Sequence, residues 1–455
     1  MKTFDIEIKN LGPIKSGHFE AAHLNVICGP NNSGKSFFLH SIYVFLRKGL
    51  RQYFEVPVDQ KWVDSVRSTG VVEIPLQPLR SKINDYLAAG IPEFVKSLPK
   101  FLAKQQTLFK DFQVHLKINP EYVTAMNNGE VSLRFQLTEK CNCDFQKTDD
   151  NLKLTFINSE GDFPDESLIR SAIELVVKFV LLHFIFAAPV FLVTSERTGS
   201  SMFVDSIFLP SDRNRQDEKF SLLPASGMDV PLPHHDELKF VSSNNLRVIS
   251  KDDSIFSNTP EFTLIRKLLR ELVSGTFSVD DAKGVRFTPE ATNLDLDISE
   301  VSSSIRALMP LDFIIRHCLN ENSILLFDEP ELNLTPENQR RLARLLVQLT
   351  KAGVGVFITT HSDYIVREIN TLIAFQKKSA HTKQVAKKFG YMENEHISPE
   401  DVALYYIKQP QQMNAIDDNV FERIHLNGDF SIGIPPFDDS IREMADIQTE
   451  LSWED

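Results

Sequence analysis

The chain has 455 residues, 42% of them hydrophobic and 24% charged, and 49 basic against 62 acidic side chains give a net charge of −13. At about 100–200 residues per domain the length allows two to four domains, or one large domain with insertions. The composition is too apolar for a disordered chain and the net charge repels phosphate, which excludes a histone-like or wholly basic nucleic-acid binder.

The opening reads as strands. Phe4 to Ile8 alternates apolar and polar residues, Gly12-Pro13 interrupts it, and Leu24 to Cys28 is a second short run ending at a glycine. Ser36 to Leu46 then carries apolar residues at helical spacing and stops at Arg47-Lys48-Gly49. From 51 to about 165, short helical and strand-like pieces alternate with proline-containing breaks at Pro75, Pro78, Pro92 and Pro99, the pattern of an inserted domain. A helix opens at Asp165 or Glu166 and runs through Phe186, after which Val190 to Ser195 returns to strand and ends in Glu196-Arg197-Thr198-Gly199. The apolar stretch Leu175 to Val193 is broken by Lys178, His183 and Pro189, so it falls short of the roughly 18 uninterrupted apolar residues a membrane span needs. No membrane partner is expected.

Residues 205–258, rich in Ser, Asp, Asn and Pro, read as loop. A helix near Thr259-Pro260-Glu261 sets Phe262, Ile265, Leu268, Leu269 and Leu272 on one face, and strand and helix alternate from there. Four cysteines, Cys28, Cys141, Cys143 and Cys318, are too few for a disulfide framework, and the N-terminus has acids where a signal peptide needs an apolar run. A cytoplasmic setting is expected. Cys141-Asn142-Cys143 lacks a second ligand pair at zinc spacing, and His234-His235-Asp236 reads as part of a polar loop, so no structural metal is assigned.

Three segments carry chemistry. Gly29-Pro30-Asn31-Asn32-Ser33-Gly34-Lys35-Ser36 satisfies G-x-x-x-x-G-K-[ST] after a strand and before a helix. There, backbone N–H groups of Asn31, Asn32, Ser33 and Gly34 converge on phosphates, Lys35 reaches the β- and γ-phosphates of ATP, and the Ser36 hydroxyl ligates Mg²⁺. Ser323 to Phe327 is an apolar run ending in Asp328-Glu329-Pro330-Glu331, as in a buried parallel strand. Asp328 is the second candidate Mg²⁺ ligand and Glu329 the group that polarises water. Gly355 to Thr360 is another apolar strand; it ends at His361, which is placed to sense the γ-phosphate. The helix between, roughly Glu337 to Thr350, has a Leu342, Leu345, Leu346, Leu349 stripe, with Arg340, Arg341 and Arg344 read as solvated.

The glycine loop, the serine-rich segment Val301 to Ile305, the Asp-Glu pair and the later histidine resemble, in that order, the ABC-class ATPases. Gly-Pro-Asn-Asn-Ser-Gly-Lys-Ser, Asp-Glu-Pro-Glu-Leu-Asn-Leu, Thr-Thr-His-Ser and the closing Phe437 to Ile441 are similar to the AAA15 or OLD-like branch, which includes ATPase subunits of antiphage systems such as Septu and PARIS. The resemblance covers about residues 1–50, 187–200 and 285–445. It implies an α/β fold: an ABC-type P-loop ATPase head, a mixed sheet with flanking helices, carrying a largely helical inserted domain. It also implies a homo-oligomer in which Ser302, Ser303 and Ser304 of one subunit contact the γ-phosphate bound by another, with Glu329 and His361 catalytic. Ser304 stands where the family usually has Gly, and Thr335 where it often has His, departures that leave open weakened hydrolysis or a slower ATP-holding state. Arg197 is a suspected phosphate-side residue.

The organisation expected is 1–50 for the first part of the head, 51–186 for the inserted domain, 187–204 for a head strand, 205–284 for a loop and helical insertion, and 285–455 for the rest of the head. The segment after His361 is short for a TOPRIM nuclease, so effector activity is assigned to a separately encoded nuclease or toxin. The basic run Lys377, Lys378, Lys383, Lys387 and Lys388 reads first as a solvated helix face and is the candidate contact for nucleic acid or an acidic partner surface. The alternative reading is a DNA-maintenance ATPase of the RecF or SMC type that clamps DNA.

Overall fold

The structure, a computed structural model, describes residues 4–119, 130–139, 141–158, 165–181, 189–201, 231–250, 260–280, 283–292, 294–377, 379–408, 420–429 and 437–451. Strands β1 (Phe4–Leu11) and β2 (Ile14–Glu20) form an antiparallel hairpin. Strand β3 (Leu24–Cys28), buried along its whole length, leads through the glycine loop into α1 (Lys35–Val44).

Beyond a π-helical turn over Phe45–Gly49 come α2 (Leu50–Tyr53), α3 (Gln60–Thr69), β4 (Val71–Pro75), α4 (Leu76–Ser81) and α5 (Ile83–Phe101). They are followed by β5 (Gln113–Ile118), β6 (Val131–Gln136), β7 (Cys141–Lys147), β8 (Asn151–Asn158) and α6 (Glu166–Leu181). Strands pair in the order β4-β8-β7-β6, while β5 returns to the start of the chain to pair with β1. Pro92 and Pro99 are not breaks: both lie inside α5. The inward row Ile83, Tyr86, Leu87, Gly90, Phe94 and Leu98 packs well enough to offset the hydrogen bonds each proline removes. The expected helix from 165 is α6; residues 182–188 lie outside the described residues.

Strand β9 (Val190–Val193) precedes α7 (Leu232–Val241), α8 (Ser243–Ile249) and α9 (Pro260–Val273). The first two correct the expectation of loop over 205–258. Pro231 and Pro233 start α7 as prolines in a first turn do, and its buried positions are Pro233, Glu237 and Val241. The inward polar Glu237 hides the apolar stripe from a sequence reading. The rest of 205–258 lies outside the described residues. A small antiparallel sheet, β10 (Gly275–Asp280), β11 (Gly284–Pro289) and β12 (Leu296–Asp297), precedes α10 (Ser303–Phe313).

The last part contributes β13 (Ile324–Asp328), α11 (Pro336–Lys351), β14 (Gly355–Thr360), α12 (Asp363–Ala374), α13 (Ala380–Lys388), β15 (Val402–Ile407), β16 (Phe421–Ile424) and α14 (Phe437–Leu451). The central sheet runs β16-β15-β3-β14-β13-β9, parallel except for β16. Both faces are covered: Leu326 and Phe357 enter one hydrophobic core, Leu325, Phe327, Val356 and Ile358 the other. Double-sided burial is why these strands read as unbroken apolar runs. The arginines of α11 are not simply solvated. Arg340 donates to Glu368 and Tyr391, and Arg344 to the fully buried Glu395, which ties α11 to α12 and to the segment before β15.

Candidate active site

The parallel order fixes the site, because β3, β14 and β13 are adjacent and their carboxyl ends emerge on one edge of the sheet. The glycine loop follows β3. Gly34 takes φ +97°, and a Cβ there would lie 2.9 Å from both Pro13 and Ile14, so the turn into α1 requires glycine on two grounds. Asn32, at φ 62°, uses the left-handed tolerance of asparagine. Asn31 and Asn32 are exposed, Ser33 and Gly34 partly so. Lys35 is buried at the first turn of α1, and its Nζ donates to the carbonyls of Gly29 at 3.0 Å and Pro30 at 2.8 Å. Burial holds this ammonium below the usual lysine range, against the opposing pull of Glu329 and Asp328.

Ser36 and Asp328, 292 positions apart, meet: the Ser36 hydroxyl donates to Asp328 Oδ1 at 3.0 Å. Thr359, the register partner of Asp328 on β14, donates to the same oxygen. His40 Nε2 lies 3.4 Å from Asp328 Oδ2. Burial alone would raise this carboxyl, yet His40 and the hydroxyls of Thr359 and Ser36 hold it below its ordinary value. Asp328 Oδ2 is buried and has no hydrogen-bond partner. An anionic, oxygen-rich corner with an orphaned carboxylate oxygen beside a P-loop serine fits a divalent cation.

Glu329 sits in the left-handed region at φ 46°, its N–H donating to the Thr359 hydroxyl at 3.0 Å. Its carboxylate lies 3.5 Å from His361 Nε2, so the two candidate catalytic side chains are side by side. Glu331, half-buried, accepts the His361 N–H at 2.5 Å, and desolvation raises its carboxyl above the ordinary glutamate value. Thr359 and Glu331 are site residues that motif spacing did not single out. The signal for Thr359 was its place at the end of the third apolar strand, but which strand stands between β3 and β13 is not written in residue types.

Arg197 is not on the phosphate side. It is 1% exposed, and all five guanidinium N–H groups meet backbone carbonyls: those of Ala307, Thr194, Asp328, Glu329 and Pro330. Its plane lies over Phe327. Arg197 therefore clamps the turn after β13. Burial lowers it to about 10, with Glu237 the largest opposing charge.

The serines lie elsewhere on the surface. Ser302 caps α10, its Oγ accepting the Ile305 N–H at 3.4 Å and lying 3.0 Å from Ser304 Oγ; Ser302 and Ser303 are exposed. Thr335 caps α11 by accepting the Asn338 N–H, a local reason for threonine at that position. His234 belongs to α7, not to a loop: it bonds Glu196 at 3.0 Å, and its ring stands edge-on to His40 with centroids 5.4 Å apart. In the basic run, Lys383 pairs with Glu393, Lys388 lies over Phe389, and Lys378 lies outside the described residues.

A family model, the AAA_15 AAA ATPase domain, matches residues 1–220 and 233–366. The chain belongs to this family. It is an ATP-hydrolysing P-loop enzyme with an α/β fold, a mixed sheet flanked by helices, and none of its described helices is long and apolar enough to cross a membrane. No curated protein matches this ATPase. Among solved structures it is similar to an SMC head bound to the C-terminal winged-helix domain of ScpA, at 12% identity over 93% of this chain and 97% of the other, with a TM-score of 0.35. It is also similar to the SMC head domain of Thermotoga maritima, at 12% identity, 81% and 92% coverage and a TM-score of 0.28. A third is the SMC head with an extended coiled coil, bound to the C-terminal domain of ScpA, from Pyrococcus furiosus, at 11% identity, 98% and 100% coverage and a TM-score of 0.30.

Proposed function

We propose that this ATPase binds ATP with Mg²⁺, oligomerises around the nucleotide, and controls a separately encoded nuclease or toxin in antiphage defence of the Septu or PARIS type. The observation that carries the nucleotide reading is the Ser36–Asp328 hydrogen bond, which joins the phosphate loop to the acidic pair across the sheet edge. Asn31, Asn32, Ser33 and Gly34 cradle the phosphates with backbone N–H groups. Lys35 leaves the Gly29 and Pro30 carbonyls for the β- and γ-phosphates. Ser36 and Asp328 hold Mg²⁺, which supplies charge neutralisation to the phosphates when bound. Glu329 accepts a proton from the attacking water, and His361, 3.5 Å from it, faces the γ-phosphate.

Exposure of Ser302 and Ser303 supports their use in trans by a second copy, and the net charge of −13 favours a protein partner over bulk nucleic acid. The test is phage plaquing on cells expressing the chain with and without its neighbouring reading frame. Protection that needs both proteins and disappears with Lys35→Ala is the expected result. Protection indifferent to Lys35→Ala would contradict the nucleotide reading, and strong salt-sensitive DNA binding by the ATPase alone would favour the SMC-like alternative.

A further inference from the structure

We propose that His40 gives an imidazole nitrogen to the cation that accompanies nucleotide, so that this site takes a first-row transition ion such as Mn²⁺ in preference to Mg²⁺. The inference rests on the nucleotide reading above and goes beyond it in the ligand set and in the identity of the metal. His40 stands one helical turn after Ser36 on α1, on the same face. Its Nε2 is 3.4 Å from Asp328 Oδ2, and both atoms are buried without a hydrogen-bond partner. The two atoms stand at ion-pair distance from each other, and a cation between them would take the imidazole lone pair and the carboxylate oxygen together.

The spacing agrees. Ligands at about 2.1 Å from an octahedral ion lie about 3.0 Å from their neighbours around it. Ser36 Oγ to Asp328 Oδ1 is 3.0 Å, and Asp328 Oδ2 to His40 Nε2 is 3.4 Å. The His234 ring, itself bonded to Glu196 at 3.0 Å, stands edge-on to the imidazole with centroids 5.4 Å apart and restricts its rotation. Mg²⁺ favours an all-oxygen shell, whereas first-row transition ions accept imidazole beside carboxylate.

The test is paramagnetic resonance of Mn²⁺ on the full chain with a non-hydrolysable ATP analogue. Phosphorus couplings report nucleotide on the metal, and nitrogen modulation reports a bound imidazole. Both are expected in the wild type, with Mn²⁺ retained against excess Mg²⁺. His40→Gln should keep the phosphorus couplings, lose the nitrogen modulation, and lose about 10-fold or more of the preference for Mn²⁺ over Mg²⁺. His40→Asp, which restores an oxygen ligand, should turn the preference toward Mg²⁺ and serves if the glutamine variant folds poorly. Phosphorus couplings without nitrogen modulation, or a preference unmoved by His40→Gln, overturn the role of His40 alone. Absence of phosphorus couplings overturns the nucleotide reading and this inference with it.

Discussion

Replacing Arg197 with methionine keeps the apolar stem of the side chain and removes the guanidinium. Five N–H donors at 3.0–3.5 Å from five backbone carbonyls vanish together, and Glu237, Glu331, Asp328 and Glu329 lose their shared cation. Hydrogen bonds from charged groups are worth about 1.5–3 kcal/mol each. Much of that sum is offset by releasing the guanidinium from a site only 1% exposed, where its own desolvation is unfavourable. Breaking a buried charge network of this kind typically costs about 3–5 kcal/mol, a large share of a total stability of about 5–15 kcal/mol. Urea unfolding of Arg197→Met should show that loss. Because the carbonyls of Asp328, Glu329 and Pro330 are the ones released, nucleotide turnover should fall by more than nucleotide affinity. Arg197→Lys should rescue only part, since one ammonium cannot span five acceptors. Unfolding within about 0.5 kcal/mol of wild type, the range of an ordinary surface change, with normal turnover would refute the assignment of Arg197 as a backbone clamp.

Thr359→Val removes the donor to Asp328 Oδ1 and the acceptor of the Glu329 N–H; a loss of about 1–3 kcal/mol in urea unfolding together with impaired turnover is expected. Arg344→Met strands the fully buried Glu395 carboxylate, so unfolding free energy should drop by about 3–5 kcal/mol. The His234–Glu196 pair gives a pH signature. His234 is raised, chiefly by its bond to Glu196, so its contribution is present below its ordinary value and is lost as pH climbs through the elevated one; Glu196, lowered to about 2 chiefly by His234, contributes above its ordinary value and fails as pH falls toward 2. Thermal melts of wild type and His234→Gln should therefore differ most near about pH 5–6 and converge in alkali.

Much of the site was legible because its chemistry is concentrated at strand ends. The glycine loop, Asp328, Glu329 and His361 each follow an apolar run, and parallel strands carry such ends to one edge. What escaped the sequence depends on order in space or on backbone atoms. Thr359 matters because β14 lies between β3 and β13. Arg197, just past the end of a strand, reads as a suspected phosphate-side residue, yet the carbonyls that it bonds come from separate segments and leave no trace in residue types. Helix α7 was hidden by Glu237, an inward carboxylate accepting from the Thr194 N–H and hydroxyl, and the prolines of α5 by burial strong enough to override local preference.

The most direct test of the pocket is ATP binding and turnover measured together on wild type, Lys35→Ala and Glu329→Gln with a divalent cation present. The account predicts binding and hydrolysis in the wild type, loss of binding in Lys35→Ala, and retained binding with turnover reduced about 10²–10⁴-fold in Glu329→Gln. Hydrolysis that survives both substitutions would contradict it.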